Sequence, residues 1–247
     1  MLRSMNDLKG FTLHAKDGDI GRVDEFYFDT ERWAVRYIVV DTSSWMGRRV
    51  LISPISFTAL DWRRRAMDVS LTKEQIRKSP DADLRNPVSR EYEGSYMLHY
   101  GYTPYWIGPA HWGPAAHPGQ LSSMAAAERA AYATEAEERT ESHLRSSGEV
   151  TGYHIQATDG EIGHVDDFLV DDESWAIRYL RVDTSNWIGG RAVLVPQNAL
   201  KDVSWREQKI RVGITREQVK NSPEYDPSRL DDQYEQRLGA YYTPVHR

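Results

Sequence analysis

A single shift of 142 residues lays one part of this 247-residue chain over another. Ala15-Lys16-Asp17-Gly18-Asp19-Ile20-Gly21-Arg22-Val23-Asp24 falls on Ala157-Thr158-Asp159-Gly160-Glu161-Ile162-Gly163-His164-Val165-Asp166, and Val40-Asp41-Thr42-Ser43-Ser44-Trp45 falls on Val182-Asp183-Thr184-Ser185-Asn186-Trp187. Over the 41 positions from His14 to Pro54 there are 22 identities. After a one-residue insertion the match resumes, with Leu71 to Ile76 opposite Ile214 to Val219 and Ser79-Pro80 opposite Ser222-Pro223. A duplication of this kind restricts the fold to one unit written twice.

Within each copy the local signals are those of strands. Asp17-Gly18 and Asp159-Gly160 are dipeptides that accept positive φ in a tight hairpin. The strand leaving the first, Ile20 to Phe28, has apolar residues at 20, 23, 26 and 28, a spacing that no strict two-residue period fits. Either a bulge at Asp24-Glu25 re-phases it or both faces are partly covered. Trp33 to Asp41, Arg49 to Ile52 and Ala66 to Leu71 read as further strands. Short strands at such close spacing predict a small closed or half-closed barrel, since closure removes exposed edges. Thr72 with Gln75, and Thr215 with Gln218, open short helices that must stop before Pro80 and Pro223. Val88 to Leu98 has weaker helical spacing.

Between the copies the character changes. Tyr100 to Gly119 is crowded with Tyr, Trp, His, Gly and Pro, which favours irregular structure. Ser122 to Arg145 is rich in Ala and Glu, with Glu135–Arg139 and Glu141–Arg145 at i,i+4 spacing, which predicts an exposed helix. The expected division is a first repeat over 1–99, an insert and linker helix over 100–147, and a second repeat over 148–247.

Composition then removes whole classes. Eight Trp and fourteen Tyr exclude a disordered chain, and no run approaches the ~20 apolar residues of a membrane helix. There is no cysteine, hence no disulfide and no thiolate chemistry, and no leader-like start; a cytoplasmic protein is expected. The net charge of −6 divides as +1 over residues 1–105, −3 over 106–149 and −4 over 150–247. Nucleic acid is not an expected partner, because phosphate binding needs a continuous basic surface.

Each copy resembles the PRC-barrel domain, the small β-barrel of the photosynthetic reaction-centre H subunit and of the C-terminal domain of the ribosome maturation factor. The resemblance rests on Leu8-Lys9-Gly10-Phe11, Asp17 to Asp24, Trp33 to Val40 and Arg49 to Pro54, and in the second copy on Val150 to Tyr153, Asp159 to Asp166, Trp175 to Val182 and Arg191 to Pro196. It implies a mainly β fold with added helices: two PRC-type barrels in tandem, each followed by short helices, joined by an aromatic-rich loop and an Ala/Glu-rich helix. It also implies a structural and interaction module reused in unrelated settings, including bacterial tandem proteins linked with stress.

No phosphate loop, dinucleotide fingerprint, nucleophile elbow or zinc-protease motif is present. Catalytic residues, metal ligands and cofactors are therefore expected to be absent. The acidic groups Asp17 with Asp19, Asp24 with Glu25, and Asp171-Asp172-Glu173 could hold a hard cation or divide acid and base roles, but read better as turn and surface residues. His111 and His117 lack a third ligand for zinc.

The candidate binding residues are those that combine a cation with a ring. Arg36 and Arg178 sit at equivalent strand centres, with Trp45 and Trp187 in the following loops and Arg49 and Arg191 after them. Arg beside Trp can stack on a planar ligand or anchor a partner, or simply lid the barrel and pair a local carboxylate. Tyr102, Tyr105, Trp106 and Trp112 of the insert are too many large rings to leave in water, so they dock internally, tying the copies together, or onto a partner. The leading expectation is a non-enzymatic interaction or scaffold module that binds a protein partner or forms a homodimer. The alternatives are a small-ligand carrier with a pocket between the barrels, and a reaction-centre-H-like role without a membrane anchor.

Overall fold

The computed structural model describes residues 1–82, 84, 88–124, 141–184 and 191–242, with the backbone alone at 232. It is mainly β, with two seven-stranded sheets and a few helices. The chain divides into two compact units. One comprises Leu8–Ser146 with Glu173–Ala176, the other Met1–Asp7 with Ser147–Asp172 and Ile177–Arg247.

The strands are β1 (Leu2–Ser4), β2 (Thr12–Ala15), β3 (Gly18–Asp29), β4 (Ala34–Asp41), β5 (Arg49–Ile52), β6 (Phe57–Asp61), β7 (Ala66–Val69), β8 (Leu144–Ser146), β9 (His154–Ala157), β10 (Gly160–Asp171), β11 (Ile177–Asp183), β12 (Ala192–Pro196), β13 (Leu200–Ser204) and β14 (Lys209–Val212). In the first unit the sheet runs β5-β4-β3-β2-β7-β6, and β8 also pairs with β3. In the second it runs β12-β11-β10-β9-β14-β13, and β1 also pairs with β10.

Of the closed or half-closed barrel that the short strands predict, the closed form is not found: the pairing among the described residues does not close. Between β5 and β6 the chain passes through the 3-10 turn Pro54–Ser56. A proline there has no N–H for a ladder. Beyond it β6 pairs, among the described residues, only with β7, so the two ends of the sheet are not joined there.

The bulge expected at Asp24-Glu25 is present: the β3–β4 register shifts between Val23 and Glu25, and β10–β11 repeats the shift between Val165 and Asp167. An extra residue at that point turns both Val23 and Phe26 inward, and both are buried. On β4 every residue from Ala34 to Val40 is buried, because a second layer covers its outer face. That layer includes the helix Arg90–Tyr100, whose Tyr96 hydroxyl accepts the Ser53 amide at 2.9 Å and whose ring stands edge-on to Tyr37.

Thr72 and Thr215 each form the full capping box with Gln75 and Gln218. Asp17 and Asp159 then tie the hairpin turns to those helices by accepting the amides of Lys73 at 2.8 Å and Arg216 at 2.7 Å. A helix over Asp232–Tyr242, at the 142-residue shift from Arg90–Tyr100, went unpredicted. Most of the expected Ala/Glu-rich helix, residues 125–140, lies outside the described residues. Its expected last residues are strand instead, because Leu144–Ser146 pairs with β3.

Candidate functional site

Two features take up sequence signals that had no structural home: a docked aromatic segment on the first unit, and a strand slot on each unit.

The aromatic segment is held from below by arginines. Arg36, near the start of β4, is 0% exposed and donates from Nη2 to Asp29 Oδ2 at 2.9 Å. Its Nε and Nη1 have no hydrogen-bond acceptor among the described residues. The guanidinium instead lies 4.1 Å from the ring centre of Tyr105 and 4.6 Å from that of Trp112, an arrangement suited to a delocalised, weakly hydrated cation. Arg32 acts on the backbone: Nη1 donates to the carbonyls of Tyr105 and Ala110 at 2.7 and 2.8 Å, and Nη2 to that of Gly108 at 2.7 Å. Trp112 Nε1 donates to the Ser174 carbonyl at 2.6 Å.

A second charged pair closes the other side. Glu93, fully buried on its helix, receives hydrogen bonds from the Tyr105 hydroxyl and from Ser142 Oγ at 3.0 Å, and lies 2.8 Å from Arg90 Nη1. Burial pushes the Glu93 carboxyl above its ordinary value against the pull of Arg90. Burial also acts on Asp29, but the charge and hydrogen bond of Arg36, with the amides of Glu31 and Arg32, bring its carboxyl below the ordinary value. Tyr105, Trp106 and Trp112 are thus core residues of this unit, and Tyr102 stacks on Tyr100 with ring centres 5.5 Å apart.

The other candidate residues are placed differently. Arg178, the counterpart of Arg36 in the duplication, is 52% exposed and lies 3.5 Å from Glu235. Trp45 follows the far end of β4 from Arg36, donates from Nε1 to the Ile20 carbonyl at 2.5 Å, and carries Lys73 over its ring at 4.6 Å. Arg49 pairs with Asp24 at 3.1 Å, and Arg191 donates to the Ser222 carbonyl at 2.6 Å. Trp187 lies outside the described residues. The open clefts among the described residues include one of about 420 Å³ lined by Thr12, Asp19, Arg22, Asp41 and Ser43, all in the first unit. No group of three or more His, Asp or Glu there could hold a metal ion.

The strand slots explain the acidic pairs. β3 is twelve residues long and β2 only four, so β2 covers residues 18–22 and leaves the same edge of Tyr27–Asp29 bare. Bare edges carry unpaired amides and carbonyls. β8 fills this one, with Tyr27 opposite Ser146, Phe28 opposite Arg145 and Asp29 opposite Leu144. In the second unit β1 fills the same place, with Leu169 opposite Ser4, Val170 opposite Arg3 and Asp171 opposite Leu2. The bulge aims a carboxylate at the incoming hydroxyl in both: Ser4 Oγ donates to Asp167 Oδ2 at 2.5 Å, and Ser146 Oγ donates to Glu25 Oε1. Arg3 Nε donates to Asp172 at 2.8 Å.

Reading the residues one by one did not find these slots, although a signal was there. Leu2-Arg3-Ser4 and Leu144-Arg145-Ser146 are identical tripeptides at the same 142-residue shift.

No helix among the described residues is long and apolar enough to cross a membrane. Comparison with curated proteins finds no match. Comparison with known families finds a match on the bulged sheet with its β10 slot: residues 146–219 match the PRC-barrel domain.

Proposed function

We propose that the chain is a non-enzymatic interaction or scaffold module built from two PRC-type units. The observation that supports this is the filled strand slot. The sheet of each unit takes up an extended Leu-Arg-Ser segment written next to the other repeat, by backbone pairing plus one carboxylate aimed by a bulge. Adding a strand to a sheet edge is a general way for proteins to bind extended peptides, in which the main chain supplies affinity and side-chain pockets supply selectivity. The carboxylates that might have served chemistry are occupied with structural partners: Asp19 with His14, Asp24 with Arg49, Glu25 with Ser146, Asp172 with Arg3. The buried rings of the insert belong to the scaffold rather than to a recognition surface.

Cross-linking mass spectrometry on the full chain in its native cell tests this reading. Cross-links to another polypeptide concentrated on sheet-edge residues are the expected result. Cross-links confined to residues of one chain, or spread evenly over its surface, would overturn it.

A further inference from the structure

The same tripeptide does the same work at both slots. Leu2 and Leu144 turn inward, at 2% and 3% exposure, and Ser4 and Ser146 meet the carboxylate at the bulge. Around β1 the reading extends further. Asp167 Oδ1 accepts the amide of Asn6 at 3.1 Å, Ser4 Oγ accepts that of Asp7 at 3.0 Å, and Asn6 Nδ2 donates to the Asp166 carbonyl at 3.2 Å. One buried carboxylate therefore recognises both the serine of the strand and the start of the helical turn that follows it. The Asp7–Ser4 bond lies within residues 2–7, and the other hydrogen bonds and the Arg3–Asp172 pair are made between residues 2–7 and 166–172, so nothing in them depends on which chain donates the strand.

We propose that the edge of β10 at Leu169–Asp171 is a strand-addition site for extended Leu-Arg-Ser segments, and that in trans it takes the first strand of a second copy of this chain. This rests on the interaction-module reading and names its ligand. A second copy is the occupant because the chain carries both the ligand and the receptor twice. An exchanged pair keeps the contacts of two closed chains, so only the entropy of connection separates them, and association grows with concentration.

The absence of native cysteine gives a clean test. Residues directly opposite on antiparallel strands are close enough for a disulfide, and Arg3 faces Val170. Arg3→Cys and Val170→Cys chains, mixed, refolded together and oxidised, are expected to give a linked species of twice the chain mass. Arg3→Cys mixed with Ser204→Cys should not. Absence of the linked species, while a chain with both cysteines closes on itself, would overturn the proposal.

Val170 is buried, so a second measurement avoids cysteine. Sedimentation of refolded wild type should show a dimer growing with concentration, lost in Ser4→Asp, whose added carboxylate faces Asp167. A wild type that stays monomeric overturns the proposal whatever the cysteine variants do. A dimer that Ser4→Asp leaves intact also overturns it, while leaving the interaction reading standing on another surface.

Discussion

The guanidinium of Arg36 lies 2.9 Å from the carboxylate of Asp29 in the interior of the first unit, while Arg178, its counterpart in the duplication, is 52% exposed at 3.5 Å from Glu235. Removing one member of a buried pair leaves the other uncompensated, at a cost of about 3–5 kcal/mol, whereas an exposed pair contributes about 0–1 kcal/mol. Arg36→Ala should therefore lower the unfolding midpoint of its unit severely, and Arg178→Ala hardly at all. Denaturant titrations of the two full-length variants followed by circular dichroism make the comparison, and equal losses would refute this account of the buried pair.

The buried carboxyls of the first unit give its stability two opposite pH dependences. Asp29 has a folded-state pKa below its ordinary 3.8, so its contribution is complete above that pH and is lost as pH falls through the folded value. Glu93 is held above its ordinary 4.5 by burial, so its contribution is complete below 4.5 and is lost as pH rises through the folded value. Glu93→Gln should flatten the decline above pH 4.5 and leave the acid limb unchanged. Unfolding midpoints taken at intervals from pH 3 upward check both limbs; an unchanged slope above 4.5 would reassign that titration to another group.

Much of this arrangement was legible before folding and some was not, for physical reasons. Strands, hairpins, bulge and capping boxes followed from residues close in sequence, and duplication doubled each signal. Arg36 and Arg178 look alike in sequence because their neighbours are alike; what distinguishes them is the docking of Tyr105 and Trp112, distant in sequence, onto the Arg36 guanidinium, whereas Arg178 is exposed. The docking of the segment that carries these rings depends on Arg32, whose position in the second copy is Ser174. The strand slots depend on an edge that is bare only once β3 and β10 have paired with shorter neighbours. A three-residue strand has too little periodicity to reveal itself.

Gly21 and Gly163 sit where the sheet admits no side chain. Their φ angles are +154° and +139°, and a Cβ would fall 2.0 Å from the Asp41 carbonyl oxygen in one case and 1.9 Å from that of Asp183 in the other. Backbone must move to accept Ala, so Gly21→Ala and Gly163→Ala should each cost about 2–4 kcal/mol, in the range of strain at special backbone sites. Gly94 lies within the helix Arg90–Tyr100 with nothing near its missing Cβ, and Gly94→Ala should gain about 0.5–1 kcal/mol. Thermal unfolding of the three variants tests the contrast in sign.

The docked aromatic segment should depend on the shape of Arg32 more than on its charge. Its guanidinium spans three carbonyls, of Tyr105, Gly108 and Ala110, at 2.7, 2.7 and 2.8 Å. A lysine ammonium is a compact point charge on a flexible stem and cannot reproduce that fork. The Tyr105 and Gly108 carbonyls would each lose about 1–3 kcal/mol of compensation for burial, whereas that of Ala110 keeps the Gly113 amide at 3.1 Å. Arg32→Lys should therefore loosen residues 102–115 nearly as much as Arg32→Ala does. Limited proteolysis would then cut within that segment, and tryptophan emission would shift to the red as Trp106 and Trp112 meet water. If the lysine variant resists protease as wild type does, charge alone holds the segment, and the buried contacts of Arg36 with Tyr105 and Trp112 are its main attachment.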